Sequence, residues 1–409
     1  MDINNLETFK GLITKYDLND RDQLKVSSIY KFFEEATGFT SSLLNKKLDF
    51  NFEEQLQINY PNLKYQEYQT VYILTDLKRQ KDSIQFINKL YLSTSDNDSK
   101  DLIISLNKNT INSVKLENFS INKPEINTDI FSAFKGLVKK EDCDQMSHMN
   151  VQYYFGKHSD AIKILFNKIS SQSLDNLAYR IVNERCIFSK EVSLDCALEI
   201  VLSIKNIYEN NLILLSKIYC IDNKNVSAYF ETNISFKTDE KLKKIINKIF
   251  STKTPTYLNE LQFNDLRQLS ENRPSSKPSK MAFISCKKAV NTWDLDHKLM
   301  GSNQFKIGCV SDAATHLFTY CGADYNWRTE YNIGSAALDY SVRYFKKVPL
   351  GMAVTMYTNF TKIGNKSLKF IHHMVDDASG DIIMDIEIVA VLFDLKKRKS
   401  IEVPDNFRN

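Results

Sequence analysis

Glycine and proline are scarce, at 11 and 7 of 409 residues, which excludes collagen-like and Pro/Gly-rich low-complexity chains. Cysteine is sparse too. The seven residues Cys143, Cys186, Cys196, Cys220, Cys286, Cys309 and Cys321 are odd in number, scattered, and never spaced as CxxC. This spacing argues against a disulfide framework and a zinc site, and the expectation is buried thiols with no bound metal. No GxSxG, Walker or GxGxxG sequence occurs, so serine hydrolases of that type, P-loop enzymes and dinucleotide binders lose their usual support, and no cofactor is expected. No apolar run nears the roughly 18 residues of a membrane span. The opening MDINNLETFKGL has neither a basic n-region nor a long apolar stretch, so a cytoplasmic protein without a membrane partner is expected. A net charge of +4 marks no nucleic-acid partner, and the lysines at Lys346-Lys347 and Lys396 to Lys399 read as solvated faces.

Core material is ample: 43% of residues are hydrophobic and 25% charged, the balance of an ordinary globular chain long enough for two or three domains. An internal repeat divides it. DCDQMSHMNVQYYFGKHSDA, Asp142 to Ala161, aligns without gaps to DLDHKLMGSNQFKIGCVSDA, Asp294 to Ala313. In both, an aspartate (Asp144, Asp296) stands fifteen residues before the serine of a Ser-Asp-Ala end. A fainter copy is DLNDRDQLKVSSIYKFFEEA, Asp17 to Ala36. Each copy runs from loop to helix and then into alternating strands cut by turns near Lys81 and Asn97, near Asn210 and Asn223, and near Gly364 and Gly380. Segments such as Ala353 to Lys362, Ser367 to Asp376 and Asp381 to Phe393 alternate as half-buried antiparallel strands do. The helix after Asn150 sets Tyr154, Ala161, Ile162 and Leu165 on one stripe, with Lys157 and Lys163 expected toward water. Composition shifts at Ile121 to Thr128 and, with Pro255, Pro274 and Pro278, at Thr252 to Lys280 delimit units at 1–128, 129–251 and 281–409, with 252–280 as a linker.

DQMSHMNVQYY followed by a helix and a strand meander resembles the hotdog-fold acyl-CoA thioesterases of the 4-hydroxybenzoyl-CoA thioesterase type, close to the carnitine-operon group. Asp144, His148, Met149, Asn150 and Tyr154 match their D-x-x-G-H-M-N-x-x-Y pattern, with Ser147 where they carry glycine. The resemblance implies an α+β fold of tandem hotdogs, each a central helix wrapped by a curved antiparallel sheet. It implies hydrolysis of an acyl-CoA, or of an acyl thioester on acyl carrier protein, with Asp144 as base or nucleophile. Such a carboxylate either activates water or attacks the carbonyl. Backbone amides at a helix start, here Val151 and Gln152, suit the developing oxyanion. His148 orients the loop or holds a water, Asn150 is a natural N-cap, and Tyr154 lines the substrate site or packs in the core.

Alternatives stand beside each role. Asp144 braces a turn if it does no chemistry, His158 is a structural helix histidine, and Cys143 lacks a recognisable base. The third copy keeps Asp296, a second candidate site, but has Met300 and Ser302 where the middle copy has His148 and Asn150. His297 is expected as a surface loop histidine. The first copy has Asn19, Gln23 and Lys25 at these positions and reads as noncatalytic, although Asp17, Asp20 and Asp22 lie close. Glu34, Glu35, Asp160 and Asp312 are helix carboxylates, expected to be solvated. His316 and the strand pair His372-His373 are not expected to form a metal site. A non-catalytic acyl-binding scaffold is the competing function, and an enoyl-CoA hydratase a lesser one, since the hydratase D-x-N-P-x-H spacing is absent. Three units in a fold that pairs two by two imply a homodimer.

Overall fold

The computed structural model describes residues 3–44, 52–58, 65–79, 84–93, 101–110, 125–127, 130–173, 177–251, 254–256, 278 and 282–408. The turns near Lys81 and Asn97 and most of the two linkers lie outside these residues. The chain is α+β. A first set comprises β1 (Ile3–Leu12), α1 (Val26–Leu43), β2 (Phe52–Ile58), β3 (Thr70–Arg79), β4 (Ile84–Leu92) and β5 (Asp101–Thr110). After β6 (Glu125–Asn127), a second set comprises β7 (Phe131–Leu137), α2 (Val151–Ser173), β8 (Arg180–Phe188), β9 (Ala197–Ile207), β10 (Asn211–Cys220) and β11 (Asn225–Ser235), followed by α3 (Glu240–Phe250). The short β12 (Thr254–Thr256) pairs with β6. A third set holds β13 (Phe283–Ala289), α4 (Asn303–Tyr320), α5 (Tyr325–Tyr331), β14 (Ile333–Tyr344), β15 (Ala353–Ile363), β16 (Leu368–Asp376) and β17 (Ile382–Asp394), with β18 (Lys399–Ser400) against β17.

Among the described residues these strands form one large sheet in the order β13-β15-β16-β17-β14-β8-β11-β10-β9-β7-β1-β3-β4-β5-β2. Within each set the order is the same: first, third, fourth, fifth, second. The second strand leaves the helix and returns beside the fifth, so each set is not a simple meander. No described helix is long and apolar enough to cross a membrane.

The two junctions differ. Second and third sets meet through antiparallel β8 and β14, from Ile187 against Asp339 to Asn183 against Arg343, and one hydrophobic core runs through both. Arg185 grips Asp339 with two hydrogen bonds of 3.1 and 2.7 Å. Helices α2 and α4 approach reciprocally: a Cβ on Gly156 would meet Gln304, and one on Gly308 would meet Gln152. Glycine at these two positions lets the helices come close. First and second sets share one described strand pair, Lys10–Lys135 between β1 and β7, and a small apolar cluster in which Phe39 of α1 meets Ile130, Ala197, Val201 and Tyr219, while the first set keeps a further core around Phe33 and Ile73. Charges supplement that seam. Lys135 lies 3.3 Å from Glu7 and 3.7 Å from Glu199, and Lys10 lies 3.2 Å from Glu7.

Several expectations are corrected here. Cys196 and Cys220 form a disulfide, because the register of β9 and β10 brings together residues that spacing alone does not pair. Lys157 does not face water; it is paired at 2.8 Å with the buried Asp142. Strands β16 and β17 are buried on both faces, and so His372 and His373 are both buried. The amphipathic α3, capped by Asp239 and burying Leu242, Ile246, Ile249 and Phe250, and the short α5 are additions that the repeat does not announce.

Candidate functional site

The loop before each helix has the same backbone three times. A buried or half-buried aspartate opens it: Asp17, Asp142 and Asp294 accept from the amides of Thr14, Lys139 and Asn291 at 2.8 to 3.0 Å. Two residues on, the side-chain oxygen of Asn19, Asp144 or Asp296 accepts from two further amides. The donors are Arg21 and Gln23 (2.9 and 3.0 Å), Met146 and His148 (2.8 and 3.1 Å), and Lys298 and Met300 (2.8 and 3.2 Å). Each loop then passes through one left-handed residue, Asp22, Ser147 or Leu299, with φ of 58°, 60° and 57°. This is the position where the resembling family carries glycine, and Ser147 adopts the conformation glycine would take, at a cost of about 1 kcal/mol. The loop therefore needs a side-chain oxygen at position 144, which asparagine supplies equally well in the first set.

Asp144 is exposed, and its second carboxylate oxygen accepts no hydrogen bond from a described residue. His148 is half-buried, 3.7 Å from Glu191, which is ion-paired to Arg398 of the third set. The facing loop is fixed to this one by Met149 N–H to Val192 O (2.8 Å) and Leu194 N–H to Ser147 O (3.0 Å). Asn150 caps α2, its Oδ1 accepting from the amide of Gln152 at 3.2 Å. That amide is thus occupied, and Val151 is the free donor at the helix start among the described residues. Tyr154 is a core residue, buried edge-on against Phe188 at 5.3 Å. Burial together with the charges of Asp142, Asp144 and Asp195 raises the pKa of Cys143, the opposite of what a nucleophilic thiol needs.

Asp296 lies in more enclosed surroundings. His297 is not on the surface: it is half-buried between Tyr68 of the first set and Tyr179, with ring centroids 5.5 and 5.9 Å away. Desolvation, with Lys163 and Lys298 nearby, pushes its pKa down to about 4. On α2, the half-buried Asp160 has its carboxyl pushed up to about 7 by desolvation, against the pull of Lys157 and Lys139. The other helix carboxylates have separate partners: Glu35 is buried against Lys139 at 2.6 Å, Asp312 pairs with Lys288 at 2.5 Å, and Glu34 is exposed.

Between the helices lies a polar network with no signature in the sequence. His158, buried as a structural residue, bridges Glu184 and Ser216 at 3.0 Å each. The other oxygen of Glu184 accepts from Tyr344 at 2.8 Å and Asn303 at 3.3 Å. Glu184 thereby ties α2 and β10 to β14 and the first residue of α4. Lys306, one turn into α4, is buried and has its pKa pushed down to about 8 by desolvation. No local motif announces these groups; only strand register brings them together.

Comparison with known proteins places one part of the chain. Residues 290–409, which include Asp296, α4 and β14 to β17, match the family model of the thioesterase-like superfamily. No curated protein matches the chain. Among solved structures, it is similar to a protein described as an oleoyl thioesterase of Lactobacillus plantarum, with 12% identity and a TM-score of 0.48 over 65% of this chain and 97% of that one. An acyl-ACP thioesterase of Bacteroides thetaiotaomicron shows 8% identity and a TM-score of 0.45 over 64% and 97%. The 12:0-ACP thioesterase of Umbellularia californica shows 8% identity and a TM-score of 0.46 over 64% and 94%.

Proposed function

We propose that this protein is an acyl-thioester hydrolase made of three hotdog units, 1–128, 129–251 and 281–409, acting on acyl-CoA or an acyl carrier protein. The observation that carries the reading is that the Asp144 loop repeats, bond for bond, the Asp296 loop inside the region that matches the thioesterase-like superfamily. Asp144 then acts as base toward water or as nucleophile through its unbonded oxygen. The free amide of Val151, at the positive end of α2, stabilises the oxyanion. His148, backed by Glu191 and Arg398, orients a water or the thioester. Incubating the purified protein with a panel of acyl-CoAs and following free thiol tests this, and a panel without thiol release would overturn it. A non-catalytic acyl-binding scaffold is the second reading. It is favoured by Asn19, which makes the same two loop bonds without an acid.

The proposal extends to assembly. The second and third sets pair through their second strands, β8 and β14, and β2, the equivalent strand of the first set, ends the sheet with β5 as its one described neighbour. A second copy placed across this edge gives a homodimer with three pairs of units. Exposed Ser27 and Lys31 stand on α1 where α2 has Gln152 and Gly156, so strand pairing rather than close helix packing would hold it. Light scattering is expected to give about twice the chain mass, and a monomer at micromolar concentration would refute the pairing.

A further inference from the structure

The first strand of each set breaks register with its neighbour at one equivalent residue, Thr8 in β1, Ala133 in β7 and Ser285 in β13. Such an extra residue re-aims the side chain that follows it, here Phe9, Phe134 or Cys286, and all three are buried. Each meets the helix of its own set. Phe9 stacks on Phe32 of α1 with ring centroids 5.1 Å apart, and the ammonium of Lys157 on α2 lies 5.6 Å from the centroid of Phe134. Phe32 and Lys157 occupy one position of the repeat, and the residue of α4 at that position is Cys309. In the third set the same contact is made by two thiols, which hydrogen-bond to each other. Both are free cysteines.

Contacts along α4 hold this register. Cys309, Asp312, His316 and Tyr320 are three or four residues apart and share one helix face. Asp312 pairs with Lys288 at 2.5 Å, His316 donates from Nδ1 to the Ser285 carbonyl, and Tyr320 stacks on Phe283 with ring centroids 4.6 Å apart. The two thiols also differ from the other free cysteines. Burial is the main cause that raises the pKa of Cys143, Cys186 and Cys321. For Cys286 the hydrogen bond from Cys309, with help from Lys288 and His316, outweighs desolvation and Asp312 and brings the pKa down to about 7. Cys309 moves the other way, so the pair shares one negative charge and gives up its second proton late. Cys286 is 8% exposed and Cys309 fully enclosed, which puts Cys286 on the side that a small molecule reaches. Its strand is the edge of the sheet, with β15 as its one described neighbour.

We propose that Cys286 and Cys309 form a peroxide-reactive modification site, with Cys286 as the attacking thiolate and Cys309 as the thiol that resolves it. The Cys286 sulfur attacks one oxygen of hydrogen peroxide, the O–O bond breaks, and the other oxygen takes a proton and leaves as water. Cys286 is then a sulfenic acid. The Cys309 sulfur attacks the Cys286 sulfur, the S–S bond forms, and the sulfenic oxygen leaves as a second water. Two thiols have given two electrons to one peroxide. A thiol so little exposed admits an oxidant near the size of water and keeps out a bulky disulfide, which selects hydrogen peroxide. The new bond ties the edge strand to α4 beside Gly308, where α4 faces Gln152 of α2.

Pulse alkylation of the full, reduced chain with iodoacetamide at neutral pH, read by peptide mass mapping, is expected to label Cys286 at least about tenfold faster than Cys321. Hydrogen peroxide is expected to produce a Cys286–Cys309 disulfide, which the same mapping separates from Cys196–Cys220. Cys309→Ser keeps a hydrogen-bond donor beside Cys286 and is expected to stop at the sulfenic acid, captured on Cys286 by dimedone. Cys286→Ser is expected to leave Cys309 unlabelled and unoxidised. Equal labelling of Cys286 and Cys321 in the folded wild type, or peroxide treatment that yields no Cys286–Cys309 bond, would overturn the site. Both of those readouts come from the wild type, so a variant that fails to fold does not shelter the proposal. Neither depends on whether thioesters are hydrolysed.

Discussion

The loops at Asp144 and Asp296 share their hydrogen bonds and their left-handed residue, yet one is open and the other roofed. Beside the exposed Asp144, among the described residues, stands the half-buried His148 with Glu191 and Arg398 at its side. Around Asp296 stand Tyr68, Tyr179 and His297, one of them supplied by the first strand set. A loop backbone therefore does not decide chemistry; its cover does. The repeat makes two equivalent frames, and the first unit, seated on one side of the second, makes them unequal.

The largest expected effect bears directly on that inequality. Asp144→Asn should lower thioester turnover by about 10²–10⁴-fold, the usual contribution of a positioned carboxylate, while the fold persists because Asn19 already makes the same two amide bonds. Asp296→Asn should lower turnover far less. Steady-state kinetics on both variants checks this. Equal losses would mean two catalytic loops, and wild-type turnover in folded Asp144→Asn would remove that residue from the mechanism.

A smaller effect probes the roofed side through pH. Desolvation raises the pKa of Asp160 to about 7, above the ordinary carboxylate value of an unfolded chain. The folded state therefore holds the proton more tightly. Stability from this group falls as pH rises from about 4 to 7, and the penalty is full above that range. Asp160→Asn, which cannot ionise, should be more stable than wild type at pH 8 by about 1–2 kcal/mol after allowance for solvent screening, and little different at pH 4. Urea unfolding at the two pH values measures it, and a gain confined to acid would reverse the assignment.

Much of this was legible in the sequence. The gapless alignment of Asp142 to Ala161 with Asp294 to Ala313 locates two loops whose backbones coincide, and the weaker register to Asp17 correctly puts Asn19 opposite Asp144. Alternation located β15, β16 and β17 to within a residue or two. What stayed hidden depends on contacts between segments far apart in the chain. Nothing near His297 indicates that Tyr68 will cover it, and nothing near Lys157 indicates a buried partner in Asp142. Glu184 sits in an ordinary strand pattern, and its three bonds, to His158, Asn303 and Tyr344, come together only after β8 meets β14. The Cys196–Cys220 bond likewise needs the hairpin register.

The finest comparison is between the reciprocal glycines that let α2 and α4 touch. Replacing a mid-helix glycine with alanine favours the helix by up to about 1 kcal/mol, so the sign depends on what the new methyl meets. At Gly308 a Cβ crowds only the amide end of Gln152, the next atom being 3.6 Å away, and a side-chain rotation relieves that. At Gly156 it would lie 2.5 Å from Oε1 of Gln304 and 3.3 Å from both its Cδ and its Cβ. The Cβ is fixed to the backbone, so α4 itself must shift, and overpacking of that kind costs about 1–3 kcal/mol. Gly308→Ala should therefore be neutral or slightly stabilising and Gly156→Ala destabilising, with midpoints of denaturant unfolding separated by about 1 kcal/mol or more. The reason lies in Asn303, which Glu184 holds at the first turn of α4, restraining Gln304 beside it. Gln152 follows the Asn150 cap and makes no comparable link to the facing set. If both variants shift stability alike, the helices approach more symmetrically than this geometry has them, and the Glu184 network does not hold the start of α4.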